Sequence, residues 1–175
     1  RLLPDAYRAL LAIDEITVWS RNPEAAARMA AQLAADGCAV RASTALEEAV
    51  RRADIVSCAT LATEPVIRGA WLQPGSHLDL IGGFTPHMRE ADDDCFRGSA
   101  LYVDTVEALQ KSGDLLGPMA RGVFAPADVA GTLEDLCGAR AAGRQSHQAR
   151  TVFKSVGTAL EDLAAAILVY ESAAG

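Results

Sequence analysis

The chain of 175 residues is half hydrophobic and 22% charged, a composition typical of a globular protein with a sizeable core. Its net charge of −7 argues against nucleic-acid binding, which normally needs a basic surface, and no apolar run is long enough to span a membrane. The four cysteines form no Cys-x-x-Cys pair and the three histidines show no metal-ligand spacing, so we expect a reduced, cytoplasmic protein without a structural metal.

The first part of the chain predicts a helix, a strand and a second helix. Apolar residues spaced three and four apart in the first eleven positions favour a helix. The stretch EITVWSRNPEAA, residues 15–26, is typical of a half-buried strand that runs into a helix. Asn22 is a good N-cap residue, and Pro23 is tolerated at the first helical position.

Three later stretches predict strands that are buried on both faces. They are rich in small and β-branched residues: DIVSCAT (54–60), SHLDLIGG (76–83) and ALYVDT (100–105). Strands separated by helical stretches of this length imply βαβ units. The expected fold class is therefore α/β, with a mostly parallel sheet.

The residues that leave the predicted strands are small or carry hydroxyl groups. These segments are residues 20–22, 60–63 and 82–85. In an open parallel sheet, ligands bind beyond the carboxyl ends of the strands, and such residues would let a nucleotide approach the backbone closely. Turn chemistry alone explains the same residue types, so a nucleotide site and an ordinary set of turns remain open at this point.

Arg21 bears on the identity of any nucleotide bound there. At the end of the second strand of a nucleotide-binding unit, an acid would bind two ribose hydroxyls, whereas an arginine suits a 2′-phosphate. The alternative is a solvated arginine at the start of a helix. The diagnostic Gly-x-Gly loop is not in this sequence and would precede Arg1.

The C-terminal stretch TVFKSVGTALEDLAAAILVYESAAG, residues 151–175, predicts one helix. Its apolar residues recur at spacings of three and four from Phe153 to Tyr170. Gly157 interrupts this stripe and suggests close approach of another helix or of a ligand. Residues 90–94, EADDD, predict a solvated acidic helix start.

Several segments in a fixed order carry a resemblance to a known family. The chain resembles the ornithine cyclodeaminase/μ-crystallin family of NAD(P)-dependent proteins. The matching segments, which cover nearly the whole chain, are VWSRNPEAA, EEAVRRADIVSCATLATEPVIRGAWLQPGSHLDLIGGFTPHMREADD, LYVDT, SGDLL and TVFKSVGTALEDLAAAILVY.

The resemblance implies a Rossmann-type, doubly wound parallel sheet joined to a second domain that binds substrate and mediates dimerisation. Residues 1–150 would be the NAD(P)-binding domain, with its glycine loop and first strand expected before Arg1. Residues 151–175 would be a C-terminal helix that returns to the substrate domain. We therefore expect a longer protein that is a homodimer, and we expect residues 1–175 alone to be inactive.

The resemblance also implies which residues contact the cofactor. Three would surround the adenosine ribose or its phosphate, three would line the path of the cofactor, one would lie near the nicotinamide, and one would reach the nicotinamide from the C-terminal helix. In that order, these are Ser20, Arg21 and Asn22; Thr60, Leu61 and Thr63; Ile81; and Ser155. Because Arg21 lies at the ribose position without an acid beside it, NADP(H) is expected to be preferred over NAD(H). No catalytic residue is assigned to this chain.

Phe84 separates the branches of the family. Members that resemble ornithine cyclodeaminase carry an aspartate at this position, whereas GGFTPHMREADD resembles the branch that reduces cyclic ketimines. The expected reactions are Δ1-pyrroline-2-carboxylate to L-proline and Δ1-piperideine-2-carboxylate to L-pipecolate, with NADPH as the reductant. The alternatives are ornithine cyclodeamination, from L-ornithine to L-proline and ammonia, and a non-catalytic, μ-crystallin-like NADPH-binding protein.

Overall fold

The computed structural model describes residues 2–174 and divides the chain into two compact units. The first unit ends at Arg52 and the second begins at Ala53. Each unit contains parallel strands connected by helices. The α/β class predicted from the sequence is therefore confirmed.

The first unit contains a two-stranded parallel sheet and three helices. Asn22 caps the second helix as predicted, because its side chain accepts hydrogen bonds from the backbone N–H groups of Glu24 (3.0 Å) and Ala25 (3.2 Å). In chain order, the elements are α1 (Leu2–Leu10), β1 (Ile16–Val18), α2 (Pro23–Ala35), β2 (Val40–Ala42) and α3 (Leu46–Arg52).

The second unit is built on a five-stranded parallel sheet. Its strands are β3 (Ile55–Cys58), β4 (His77–Leu80), β5 (Ala100–Val103), β6 (Val129–Thr132) and β7 (Thr151–Lys154), in the spatial order β3-β4-β7-β5-β6. Its α-helices are α4 (Ala108–Lys111), α5 (Gly113–Ala120), α6 (Leu133–Cys137) and α7 (Ala159–Ala174). The buried side chains of Leu78, Leu80, Val103 and Val152 place the core on the central strands. Since all strands are parallel, their carboxyl ends meet at one edge of this sheet.

The single helix predicted over residues 151–175 is wrong at its start. Residues 151–154 form β7 in the middle of the sheet, and the helix begins only at Ala159. Threonine, valine and phenylalanine suit a buried strand, and the helical spacing of Phe153 and Val156 was coincidental. Gly157 adopts a positive φ of 79°, and a Cβ there would meet only a Glu161 carboxylate oxygen at 3.9 Å. The left-handed backbone, and not the approach of another helix, therefore accounts for this glycine.

Helix α7 leaves a row of large apolar side chains exposed. Leu160, Leu163, Ile167 and Tyr170 are between 48% and 75% exposed in the described chain. The apolar stripe predicted for residues 160–170 therefore exists, but it lies on the surface of this unit. None of the helices within residues 2–174 is long and apolar enough to cross a membrane.

Candidate functional site

A buried carboxylate joins the turns that follow β3 and β4. Oε1 of Glu90 accepts hydrogen bonds from the backbone N–H and the hydroxyl of Thr60, both at 2.7 Å. Oε2 accepts from the backbone N–H groups of Gly82 (2.8 Å) and Gly83 (3.2 Å). Glu90 is 0% exposed. One side chain thus holds two turns at the carboxyl edge of the sheet, where a parallel sheet binds its ligands.

The prediction that residues 90–94 form a solvated acidic helix start is wrong for Glu90. The segment lies against the core, with Ala91 fully buried and paired to Ile67 through an isolated parallel bridge. Only residues 93–95 form a short 3₁₀ helix, capped by the side chain of Asp92. A run of acids normally indicates solvent exposure, but the partners of Glu90 are donors up to 30 residues away.

The backbone of Glu90 is in turn held by a buried ion pair. Oδ1 of Asp114 accepts from the backbone N–H groups of Glu90 (2.7 Å) and Ala91 (3.0 Å). Oδ2 of Asp114 lies 3.4 Å from Nζ of Lys154, and both side chains are fully buried. Lys154 also donates to the carbonyl of Leu80 at 3.1 Å. Burial raises the pKa of the Asp114 carboxyl, while the Lys154 ammonium and the two N–H groups act in the opposite direction.

A second buried carboxylate holds the turn after β7. Oδ2 of Asp104, at the end of β5, accepts from the Ser155 hydroxyl (2.9 Å) and from the backbone N–H groups of Val156 (2.7 Å) and Gly157 (2.8 Å). Ser155 therefore lies in a turn that follows a central strand, and its predicted position on the C-terminal helix is wrong. The turn ends at the carboxyl edge of the sheet, as the predicted role of Ser155 requires.

The hydroxyl groups of Thr60 and Ser155 have the same local chemistry. Each donates its proton to a buried carboxylate, Glu90 in one case and Asp104 in the other. Each oxygen also accepts one backbone N–H, from Ala62 (3.2 Å) or from Gly157 (3.3 Å), so it can offer a ligand only its remaining lone pair. These positions thus suit a ligand that presents N–H groups.

The other predicted residues of the second unit differ in exposure. Leu61 is 69% exposed and Thr63 is also exposed, whereas Ile81 is half-buried and its backbone N–H pairs with the carbonyl of Cys58 (2.8 Å). Phe84, at the turn after β4, is 50% exposed. Two large apolar side chains, Leu61 and Phe84, are therefore presented by the same two turns that Glu90 joins.

Ser20, Arg21 and Asn22 lie in the first unit, between β1 and α2. Ser20 Oγ accepts from the backbone N–H of Asn22 (3.2 Å), and the Asn22 side chain is used in capping α2. Arg21 is exposed, and within residues 2–174 no ion pair is found for its guanidinium. In these bonds Ser20 and Asn22 use only acceptor oxygens, and Arg21 is the one of the three that carries a positive charge for an anionic group.

Comparison with known proteins supports the resemblance seen in the sequence. The family model "Ornithine cyclodeaminase/mu-crystallin family" matches residues 3–175. The chain is 43% identical to a Δ1-pyrroline-2-carboxylate reductase from Paracoccus denitrificans over 172 residues, which cover 97% of this chain and 54% of that protein. It is 41% identical to the ketimine reductase mu-crystallin of Mus musculus over 160 residues, which cover 90% and 47% of the two chains.

A solved structure matches the fold closely. The Δ1-pyrroline-2-carboxylate reductase of Thermococcus litoralis, in complex with NADH and L-proline, superposes with a TM-score of 0.94 at 33% identity, covering 97% of this chain and 53% of that chain. The chain thus spans about half the length of the relatives it matches. From the family model, the sequence identities and the shared fold, we conclude that the chain belongs to the ornithine cyclodeaminase/mu-crystallin family.

Proposed function

We propose that the full-length protein is a nicotinamide-dependent reductase of cyclic imino acids. It would convert Δ1-pyrroline-2-carboxylate to L-proline and the six-membered Δ1-piperideine-2-carboxylate to L-pipecolate. Relatives named as a Δ1-pyrroline-2-carboxylate reductase and a ketimine reductase support this activity, as does a matching fold bound to NADH and L-proline. The observation that carries the proposal is Phe84, a half-exposed apolar side chain at the carboxyl edge of the sheet.

The residues of the strand-end turns fit a nicotinamide cofactor. When bound, the cofactor supplies the hydride, and the protein mainly positions it. Thr60 and Ser155 offer lone pairs that suit the amide N–H groups of a carboxamide. Ile81 and the Gly82-Gly83 turn lie beside Thr60, and Leu61 and Thr63 follow it. We propose that all of these residues contact the cofactor, together with Ser20, Arg21 and Asn22 of the first unit.

Phe84 favours reduction over deamination. A phenyl ring makes the reaction chamber more apolar than a carboxylate would and so disfavours attack by water on the imine carbon. It also offers no acceptor for the second amine of a diamino acid. Hydride transfer needs the imine protonated and correctly oriented, and orientation alone can contribute about 7–11 kcal/mol in well-aligned reactions. We assign no catalytic acid or base to this chain.

The two chemistries can be separated directly with the full-length protein. One reaction contains Δ1-pyrroline-2-carboxylate with NADPH, and the other contains L-ornithine with catalytic NAD⁺. We expect oxidation of NADPH with formation of L-proline in the first and no ammonia in the second. Release of ammonia from ornithine without imine reduction would overturn the proposal, and NADPH binding without any turnover would favour a binding protein of the μ-crystallin type.

We further propose that the full-length protein is a homodimer and that α7 packs on a second domain. The exposed side chains of Leu160, Leu163, Ile167 and Tyr170 form an apolar row of the kind that usually marks an interaction surface. Without such a partner surface, the 175 residues alone would not be expected to reduce imines.

Cofactor preference gives a prediction for Arg21. We propose that NADP(H) is preferred over NAD(H), because an exposed guanidinium can pair bidentately with a 2′-phosphate. Charge-assisted hydrogen bonds contribute about 1.5–3 kcal/mol, so Arg21→Ala should raise the Kd for NADPH roughly tenfold to a hundredfold. Because NADH has no 2′-phosphate, its Kd should change less than about twofold in Arg21→Ala.

A matched control is Arg28→Ala, which removes another exposed positive charge, from α2. Arg28 pairs only loosely with Glu24, at 3.8 Å, so this variant should leave both affinities unchanged. Titration of the full-length protein with both cofactors measures the effect. Tighter binding of NADH than of NADPH, with neither affinity altered by Arg21→Ala, would contradict the prediction.

A further inference from the structure

Glu90 contacts both of the strand-end turns at the carboxyl edge of the sheet. Its two oxygens accept four hydrogen bonds, two from Thr60 and one each from Gly82 and Gly83. Three of the donors are backbone N–H groups, which cannot turn to accept a proton. Three of the four hydrogen bonds therefore need an acceptor on Glu90, whereas the Thr60 hydroxyl can rotate to donate or to accept.

The two turns that Glu90 joins are in direct contact. A Cβ on Gly82 would lie 2.0 Å from the carbonyl oxygen of Thr60 and 2.5 Å from Oε1 of Glu90. On the other side, a Cβ on Gly83 would lie 2.6 Å from Oδ2 of Asp114. A small shift of either turn would therefore displace the other. Neither Gly82 nor Gly83 could carry a side chain without such a shift.

The segment that carries Glu90 is itself fixed at several points. The hydroxyl of Ser112 donates to the carbonyl of Gly83 at 3.0 Å, and the backbone N–H of Gly113 donates to the carbonyl of Thr85 at 3.0 Å. Asp114 holds the backbone of Glu90 at 2.7 Å. The loop from Gly82 to Glu90, with Phe84 near its start, is thus anchored at both ends, and Glu90 extends this anchoring to Thr60.

We infer that Glu90 is a positioning residue for the hydride transfer. By fixing the Thr60 turn against the Gly82-Gly83 turn, its carboxylate sets where the nicotinamide end of the cofactor lies relative to Phe84. The inference rests on the proposed function for its effect on turnover. Its effect on cofactor affinity does not depend on which substrate is reduced.

Glu90→Gln in the full-length protein is the first test, because an amide cannot satisfy both turns. If the NH₂ group of the introduced glutamine points toward Gly82 and Gly83, a donor replaces the acceptor of their two backbone N–H groups. If it faces Thr60, the hydroxyl can rotate to accept, but the backbone N–H of Thr60 is still opposed. Misplacement by about 1 Å can cost a hundredfold in rate, so we expect kcat to fall roughly tenfold to a hundredfold and the Kd for NADPH to rise several-fold.

The matched control is Asp79→Asn, another exchange of a buried carboxylate for an amide. Asp79 lies on β4, below the turn, and accepts from the Ser57 hydroxyl at 2.8 Å. Since this variant leaves the turns intact, kcat and the Kd for NADPH should stay within about twofold, whatever its effect on Tm. This comparison separates a loss of positioning from a general loss of stability.

Glu90→Asp keeps an acceptor-only carboxylate and is used if Glu90→Gln does not fold. It is shorter by one methylene group and can hold only one of the two turns closely, so a smaller fall in kcat is expected. Unchanged kcat and Kd in a folded Glu90 variant would overturn the inference. If the wild-type protein binds NADPH but reduces no imine, the proposed function fails, and the Kd of the Glu90 variants still tests the positioning role.

Discussion

Replacing Lys154 by methionine in the full-length protein is expected to lower the free energy of unfolding by about 3–5 kcal/mol, the usual cost of removing one partner from a buried ion pair. The reason is that Asp114 would remain buried with no counter-ion at Oδ2, since Lys154 lies 3.4 Å from that atom and both side chains are fully buried. The hydrogen bond from Lys154 to the carbonyl of Leu80 would also be lost. The midpoint of urea unfolding measures the effect.

The destabilisation by Lys154→Met should depend on pH in a definite direction. Burial already holds the pKa of Asp114 above its ordinary value near 3.8, and loss of the ammonium would raise this pKa further. Between the ordinary and the raised value, the unfolded chain has released a proton that the folded protein retains. Stability therefore falls as the pH rises through this window, and the variant should be closer to wild type at pH 5 than at pH 8.

The double variant Lys154→Met/Asp114→Asn is the matched control. The amide oxygen can keep the role of Oδ1 toward the N–H groups of Glu90 and Ala91, while the uncompensated charge is gone. We expect the double variant to be more stable than Lys154→Met alone and to lose the extra pH dependence. Equal stability of the single and double variants at pH 8 would show that the ion pair is not the cause.

Strands β3, β4 and β5 could be predicted from the sequence because their residues leave few alternatives. Runs such as Ile55–Cys58 and Ala100–Val103 are short, apolar and bounded by turn residues, and each forms a strand. The N-terminal boundary of α2 was predictable for a local reason, since Asn22 and Pro23 act within one turn of the chain. Local signals of this kind are fully contained in the sequence.

Strand β7 could not be predicted by the same means. Its four residues stand directly before a helix, and the apolar spacing continues across the boundary. The positive φ of Gly157 marks the break, but a glycine alone does not show its backbone conformation. The informative residue was Lys154, because a lysine in a buried strand requires an acid beside it, and Asp114 is 40 positions away in the sequence.

The position of a proposed ligand contact can be easier to predict from the sequence than the role of the residue that supports it. Thr60 stands at the end of a predicted strand, so its position follows from the predicted sheet. Ser155 follows β7, which the sequence predicted as part of a helix, so its position does not. Glu90 and Asp104 do not show their role in the sequence, because tertiary structure brings them to distant partners. Thr60 is 30 residues from Glu90, and Gly157 is 53 residues from Asp104. A carboxylate near a strand end is ordinary in a sequence. What distinguishes these two is the set of backbone N–H groups that need an acceptor in the folded protein.

Replacing Asp104 is the second substitution from which we expect a large loss of stability. Asp104→Ala in the full-length protein would remove the acceptor of the Ser155 hydroxyl and of the Val156 N–H, and would leave the Gly157 N–H only the Ser155 oxygen, at 3.3 Å. Hydrogen bonds to a charged group contribute about 1.5–3 kcal/mol each, but Gly157 is exposed and water can replace part of the loss. We therefore expect destabilisation of about 2–4 kcal/mol in urea unfolding, within the range for such a network.

We expect Asp104 to affect the affinity for the cofactor by orienting the Ser155 hydroxyl. In Asp104→Ala the Ser155 hydroxyl is free to turn, and its proton can point toward the ligand, where a lone pair is needed. Asp104→Asn should raise the Kd for NADPH less, because the amide oxygen can still accept from the three donors of the turn. Its NH₂ group would then face only the backbone N–H of Thr105, which lies 2.7 Å from Oδ1 in the wild-type protein. If Ser155 is the contact, Ser155→Ala should raise the Kd for NADPH, and adding it to Asp104→Ala should raise the Kd little further. An Asp104→Ala protein that binds NADPH as tightly as wild type, while Ser155→Ala does not, would mean that the carboxylate supports the fold but does not orient the hydroxyl.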